Sequence, residues 1–188
     1  MRYKKYNIVF VCVIFCAQAM EVSIDCVTSK NLAAEEDVFN KAFTASYNQL
    51  PVLLEQISKK YPTLDAFLHA AFEDENVDFH ACKPATYFLN AKIGDNIVGY
   101  MSFDIMANDS VYIRILAIDP AYTKKGIGRK LVFSIFKFHQ TTTNILLITR
   151  RANTSAIEFY QHLGFKITGF THEGYDPAVY VGMEFVKE

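Results

Sequence analysis

Apolar and polar positions alternate with two periods along this chain, and the period changes once near its middle. Val22 to Val27 reads as a short strand. Beyond it, Ser29 or Asn31 is placed to cap a helix running to about Tyr47, with Phe39 and Phe43 four apart on one face. Pro51 suits the first turn of a second helix carrying Leu53, Leu54 and Ile57. After Pro62-Thr63, a third stripe follows at Leu64, Phe67, Leu68, Ala71 and Phe72. The acidic run Glu73-Asp74-Glu75 with Asp78 predicts a solvated loop that ends this helical half. From Ala85 the period shortens. Ala85 to Ile93, a Gly94-Asp95-Asn96 turn and Ile97 to Met106 form a predicted hairpin. Asn108-Asp109-Ser110 turns the chain into a strand at Ile113 to Ile118. A helix with Leu131, Val132, Ile135 and Phe136 on one face follows, then a strand at Ile145 to Thr149 and a helix at Ser155 to Leu163. Gly164 stops that helix, and strands at Lys166 to Thr171 and Val179 to Val186 finish the chain.

The candidate chemistry lies where the Ile113 to Ile118 strand turns at Asp119-Pro120 and enters a helix through Gly126-Ile127-Gly128. A helix N-terminus offers unpaired N–H groups and partial positive charge, which suits a phosphate or pyrophosphate. Lys124, Lys125, Arg129 and Lys130 add charge at the same place. A P-loop cannot be laid on these residues, and the dinucleotide fingerprint fails because its third glycine would fall on Leu131. The segment Thr123-Lys124-Lys125-Gly126-Ile127-Gly128 resembles the coenzyme-A loop of the GNAT acetyltransferase superfamily, [QR]-x-x-G-x-[GA], with Thr123 departing at the first position. An ordinary helix-entry loop with two glycines fits the hexapeptide equally well. A second block, Asn153 to Phe165, resembles the family's N-x-x-A-x-x-x-Y-x-x-x-G-F, with Asn153, Ala156, Tyr160, Gly164 and Phe165 in place. Both blocks stand in the family's order, and with the succession of strands the resemblance covers about residues 22–187. It implies the α/β GNAT fold, a mixed sheet of about six to seven strands flanked by helices.

The N-terminus reads as a separate object. Arg2, Lys4 and Lys5, an apolar run from Ile8 to Ala17 and the small-residue signal Ala17-Gln18-Ala19 are the three parts of a secretory signal peptide, in order. A membrane-spanning helix needs about 20 apolar residues, so this run is too short to span. The expected division is a cleaved segment 1–19 and a single domain 20–188, exported to the periplasm or beyond. The alternative is a cytoplasmic protein starting at Met20. Cleavage would carry away Cys12 and Cys16 and leave Cys26 and Cys82, whose pairing spacing does not decide. The 188 residues are 51% hydrophobic with a net charge of −1, which excludes disorder and gives no long-range pull toward nucleic acid.

The resemblance also implies an activity: transfer of an acetyl group from acetyl-CoA to a primary amine by direct attack. Backbone N–H groups from Lys124, Lys125, Gly126, Ile127, Gly128 and Arg129 would cradle the pyrophosphate, with the Thr123 hydroxyl beside them. Main-chain groups of Leu116, Ala117 and Ile118 would hold the pantetheine arm and polarise the acetyl carbonyl. Tyr160 matches the family's general acid toward the leaving thiolate, and Asn153 its cofactor-contacting asparagine; a core tyrosine and a plain helix cap are the competing readings. Where some members carry a basic glutamate this chain has Tyr112, so the candidates are Asp104 or a water relay. No metal is expected, since His80-x-Cys82 lacks a second ligand pair and His69, His139, His162 and His172 are scattered. The partners expected are acetyl-CoA and an amine acceptor, with no nucleic acid and no membrane span in the mature protein; a homodimer stays open. Thr123 and Tyr112 motivate an alternative, a catalytically idle acyl-CoA-binding or interaction domain. The signal segment motivates another, an exported acetyltransferase acting in a second cell. The acidic charge left after cleavage, 16 Lys and Arg against 20 Asp and Glu, favours a cationic acceptor.

Overall fold

The computed structural model describes residues 21–26, 32–80, 86–171 and 175–187, with the side chains of 32 and 74–80 outside that description. The expected signal segment, Val27, the expected cap at Ser29 or Asn31, Cys82 and His172 therefore lie outside the described residues. The order is β1 (Ser23–Cys26), α1 (Leu32–Tyr47), α2 (Pro51–Ser58), α3 (Leu64–His80), β2 (Thr86–Ile93), β3 (Asn96–Ile105), β4 (Ser110–Ile118), α4 (Ile127–Phe138), β5 (Asn144–Arg150), α5 (Thr154–His162), β6 (Lys166–Thr168) and β7 (Tyr180–Val186). The strands form one seven-stranded sheet in the order β1-β2-β3-β4-β5-β7-β6. Pairing is antiparallel throughout except between β4 and β5. This is the mixed, helix-flanked sheet that the sequence predicts.

Each face of the sheet has its own core, as strand alternation requires. On one face Leu89, Met101, Phe103, Val111, Ile113, Ile145, Leu147 and Met183 meet the apolar stripe of α4, Ile127, Leu131, Val132 and Ile135, together with Tyr160, Leu163 and Phe165 from the α5 region. On the other, Phe88, Tyr100 and Ala117 meet Val38 and Phe39 of α1 and Leu68 and Phe72 of α3. Leu116 and Ile118 pack toward the first core while Ala117 enters the second, so the end of β4 is shared between them.

Three local expectations need correction. The acidic run from Glu73 is helical, because α3 continues to His80: glutamate is a good helix former, and no Gly or Pro interrupts before Pro84. The central strand starts at Ser110, inside the expected turn; Asn108 and Asp109, both at positive φ, make that turn alone. The sixth strand stops at Thr168, whose hydroxyl accepts the Phe170 N–H at 3.2 Å and bends the chain away from the sheet.

Candidate functional site

The sheet opens at its centre. β4 and β5 pair only from Ser110↔Asn144 to Ile113↔Leu147. Beyond that point β4 stays with β3 as far as Ile118, and β5 stays with β7 as far as Arg150. The two strands part where β4 carries a bulge: Ser102 faces Ile115 and Phe103 faces Ile113, so Arg114 is the extra residue. A bulge bends its strand and increases its twist, which turns the end of β4 away from β5. The edge of Leu116, Ala117 and Ile118 that faces β5 is left without a partner strand, and its main-chain groups are available to a ligand.

The glycine loop stands at the mouth of this opening. Asp119 accepts the Ala121 N–H at 2.8 Å and starts a 3₁₀ turn at Pro120–Tyr122. Lys124 at φ 57° and Gly126 at φ 78° then bring the chain into α4. No side chain caps the N-terminus of α4, so its first N–H groups remain open to an anion. Among the described residues, Lys124, Lys125, Arg129 and Lys130 have no carboxylate at ion-pair distance. Lys125 Nζ instead lies 4.7 Å from the Tyr122 ring centre, and the Arg129 guanidinium 5.0 Å from that of Phe133. The two glycines have different reasons. A Cβ on Gly126 would enter open space, whereas one on Gly128 would stand 2.9 Å from Phe159 Cζ. The Thr123 hydroxyl donates to the Pro120 carbonyl at 3.0 Å, so its proton is used inside the loop and only its lone pairs face outward.

Opposite the loop, the start of α5 supplies the second block. Asn153 Oδ1 accepts the Ala156 N–H at 3.3 Å and the Ser155 hydroxyl at 3.0 Å, so its oxygen caps the helix. Tyr160 is buried, with its ring edge-on to Phe159 at 5.0 Å and to Phe165 at 5.2 Å. Burial raises its hydroxyl well above the ordinary phenol value. The raised value keeps the hydroxyl protonated at neutral pH and makes it a weaker acid than a free phenol.

The strand opening, the uncapped helix and the buried tyrosine agree with the resemblance drawn from the two blocks, and a direct comparison decides it. The acetyltransferase (GNAT) family model matches residues 50–165. The chain belongs to the GNAT family. It is 26% identical over 114 residues to the N-alpha-acetyltransferase RimI of Mycobacterium tuberculosis, a match covering 59% of this chain and 68% of that protein. It is 29% identical over 103 residues to the uncharacterized protein ML0378 of Mycobacterium leprae, covering 53% of this chain but only 27% of that larger protein. Among solved structures, PaiA N-acetyltransferase from Thermoplasma acidophilum, crystallised with coenzyme A, superposes with a TM-score of 0.66 at 21% identity. That match covers 89% of this chain and all of the other, and it shows the fold.

The second face of this GNAT opening carries Tyr112 and Tyr47, both on stretches the sequence singles out, together with Arg150 and Tyr180, which it does not. Strand alternation puts Tyr112, Leu146, Ile148 and Arg150 opposite the α4 face. α1 runs across the same side, with Lys41 Nζ 3.6 Å from Asp119 and its last residue, Tyr47, beside Arg150. The Arg150 guanidinium lies 4.9 Å from the ring centre of Tyr180, its register partner, and Tyr180 meets Tyr175 edge-on at 4.8 Å. Burial raises the Tyr47 hydroxyl, and the neighbouring Arg150 charge opposes the shift. A pocket of about 80 Å³ beside them is lined by Ile148, Arg151, Phe170 and Tyr180 among others. The alternation of Arg150 with Leu147 and Thr149 is the available signal for Arg150, but it does not show that Tyr47 lies beside it.

Asp104, the candidate base, accepts from the Thr86 hydroxyl at 2.6 Å and lies 3.7 Å from Arg114 at the bulge. It ties β2 to β4. Tyr112 packs against Phe170 with ring centres 6.1 Å apart. The three described histidine side chains have partners: His69 with Glu36 at 2.7 Å, which raises its pKa, His139 with Thr142 at 2.9 Å, and His162 with the Glu158 carbonyl at 2.7 Å. Among the described residues no group of three or more His, Cys, Asp or Glu is placed to hold a metal, and no helix is long and apolar enough to cross a membrane.

Proposed function

We propose that this GNAT protein is an acetyl-CoA-dependent N-acetyltransferase acting on a primary amine, by direct attack and without an acyl-enzyme. One observation carries the reading: the parted ends of β4 and β5 lead directly to the uncapped N-terminus of α4. The residues fit the co-substrate. The open N–H groups and the cations without carboxylate partners suit a pyrophosphate, and the open edge of Leu116 to Ile118 suits the amide groups of a pantetheine arm. Acetyl-CoA would supply the activated thioester.

The roles of the protein's own groups follow from their chemistry. Main-chain N–H groups at the end of β4 stabilise the negative charge that develops on the acetyl oxygen. Tyr160, held neutral by burial, donates toward the departing thiolate. The acceptor ammonium, with a pKa near 10.4 for a lysine-like amine, must lose its proton before attack. With Asp104 already bonded to Thr86 and near Arg114, a water relay is the preferred route for that proton. The name of the tuberculosis relative supports an α-amine of a peptide as the acceptor class.

Calorimetric titration of acetyl-CoA into the protein, beside Gly126→Glu, tests the cofactor site. Micromolar binding by the parent and its loss in the folded variant is the expected result. Absence of binding by the parent would sink the acetyltransferase reading and leave a GNAT-shaped domain put to another use, while binding without turnover on any amine would leave the idle acyl-CoA-binding alternative. Export stays a separate proposal, supported by the basic, apolar and Ala-x-Ala succession of residues 1–19. Intact mass of the protein from fractionated cells tests it, and a cytosolic chain starting at Met20 would end it.

A further inference from the structure

We infer that Arg150 selects acceptors that carry a carboxylate near the amine; the inference rests on the acetyltransferase reading. Arg150 is the last residue of β5, three positions beyond Leu147, where pairing with β4 stops. It therefore stands on the flared rim of the opening. Its side chain emerges on the face away from α4 and α5, which hold the proposed cofactor loop and acid. A molecule approaching the end of β4 from that face passes Arg150.

Among the described residues no carboxylate lies at ion-pair distance from Arg150, and the described carboxylates nearest in the fold have other partners. Asp104 is bonded to Thr86 and lies near Arg114, Asp176 accepts the Ala178 N–H at 2.8 Å, and Glu184 accepts from Asn144 at 2.9 Å. Arg150 is half-buried between the Tyr180 ring and Tyr47. A guanidinium removed from water in this way loses hydration that one aromatic face and the Tyr47 hydroxyl replace only in part. A carboxylate restores it through two parallel N–H···O bonds, a geometry that an ammonium cannot offer. The neighbouring pocket at Ile148, Phe170 and Tyr180 gives the rest of such an acceptor a place to lie.

The preference runs against the one that net charge suggests. A net charge spread over the surface is screened within about 8 Å at physiological salt, whereas a half-buried guanidinium acts at contact distance. The local cation prevails over the global excess of acid.

The test uses the full-length protein and two matched arms. One arm compares short peptides that differ by Asp or Asn at their first or second residue. The other compares free amino acids with their carboxamides, so that a side-chain carboxylate and a free α-carboxylate are told apart. Parent protein, Arg150→Gln and Arg150→Lys are assayed for kcat and KM, with acetyl-CoA affinity measured by calorimetry on each. The expected result is at least about a tenfold preference for the carboxylate in one arm. That preference should lie in KM, vanish in Arg150→Gln and survive in part in Arg150→Lys. Acetyl-CoA affinity should be the same in all three, which also reports that the variants are folded. Acetyl-CoA binding with equal use of both members of every pair, or of neither, overturns the assignment to Arg150 and leaves the cofactor reading standing. So does a preference that persists in Arg150→Gln. Failure of the parent protein to bind acetyl-CoA overturns both.

Discussion

Gly128 and Phe159 meet where the N-terminal turn of α4 packs on α5: a Cβ at 128 would stand 2.9 Å from the ring's Cζ. The contact joins the two sequence blocks that identify the family, and it makes one glycine a packing requirement. Gly126, two residues earlier, has open space around it and needs glycine only for its φ of 78°. Gly128→Ala should lose about 1–3 kcal/mol through overpacking, and a double-mutant cycle with Phe159→Leu should recover part of that loss. Gly126→Ala should lose about 1–2 kcal/mol from the left-handed backbone alone, with no coupling to Phe159. Urea denaturation of the three single variants and of the two doubles with Phe159→Leu measures both.

Tyr160 gives a prediction with a pH dependence. Its hydroxyl is raised above the ordinary phenol value by burial. The unfolded chain therefore releases this proton first, at a pH of about 10. Below that pH both states hold the proton and stability is unaffected. Above it, stability falls with a slope of up to about 1.4 kcal/mol per pH unit from this group. Tyr160→Phe should flatten that decline in denaturation series run between pH 8 and 11. At neutral pH the same variant should lower kcat by roughly 100-fold or more while acetyl-CoA affinity is kept.

Asp104 should behave as a strut. Its bonds to Thr86 and its proximity to Arg114 hold β2, β3 and the β4 bulge together. Asp104→Asn should destabilise the protein by about 1–3 kcal/mol. The acidic limb of the pH–rate profile should stay where it is, since an amine or a water relay sets it. A limb that disappears in Asp104→Asn would make this carboxylate the base.

Gly182 carries a second close approach. A Cβ there would overlap the carbonyl oxygen of Phe170, where the chain crosses over β7 after leaving β6. Backbone atoms cannot swing aside as a flexible side chain does. Gly182→Ala should therefore lose about 3 kcal/mol or more and displace Phe170 from Tyr112. Thermal melts, with near-ultraviolet dichroism to report the aromatic packing, check both effects.

Much of the fold was legible because its signals are local. The stripe of α4, the turn at Asn108-Asp109 and the strand periods are written in residues a few positions apart, and each element stands close to where its pattern places it, with the central strand starting earlier and the sixth ending sooner. The acidic run is helical because no breaker interrupts it, and charge alone does not distinguish a solvated loop from a solvated helix.

The two blocks, from Thr123 to Gly128 and from Asn153 to Phe165, needed only the order of residues to point to the family. Each is a helix entry whose backbone conformation its own residues dictate. What the order of residues could not supply is where β4 and β5 part, which glycine packs against Phe159, and which cations have no carboxylate beside them among the described residues. Those features depend on strand register and on neighbours far apart in the chain: Ser102 against Ile115, Gly128 against Phe159, Tyr47 beside Arg150. A bulge of one residue at Arg114 turns a continuous sheet into an opening, and the sum of the whole fold sets that register.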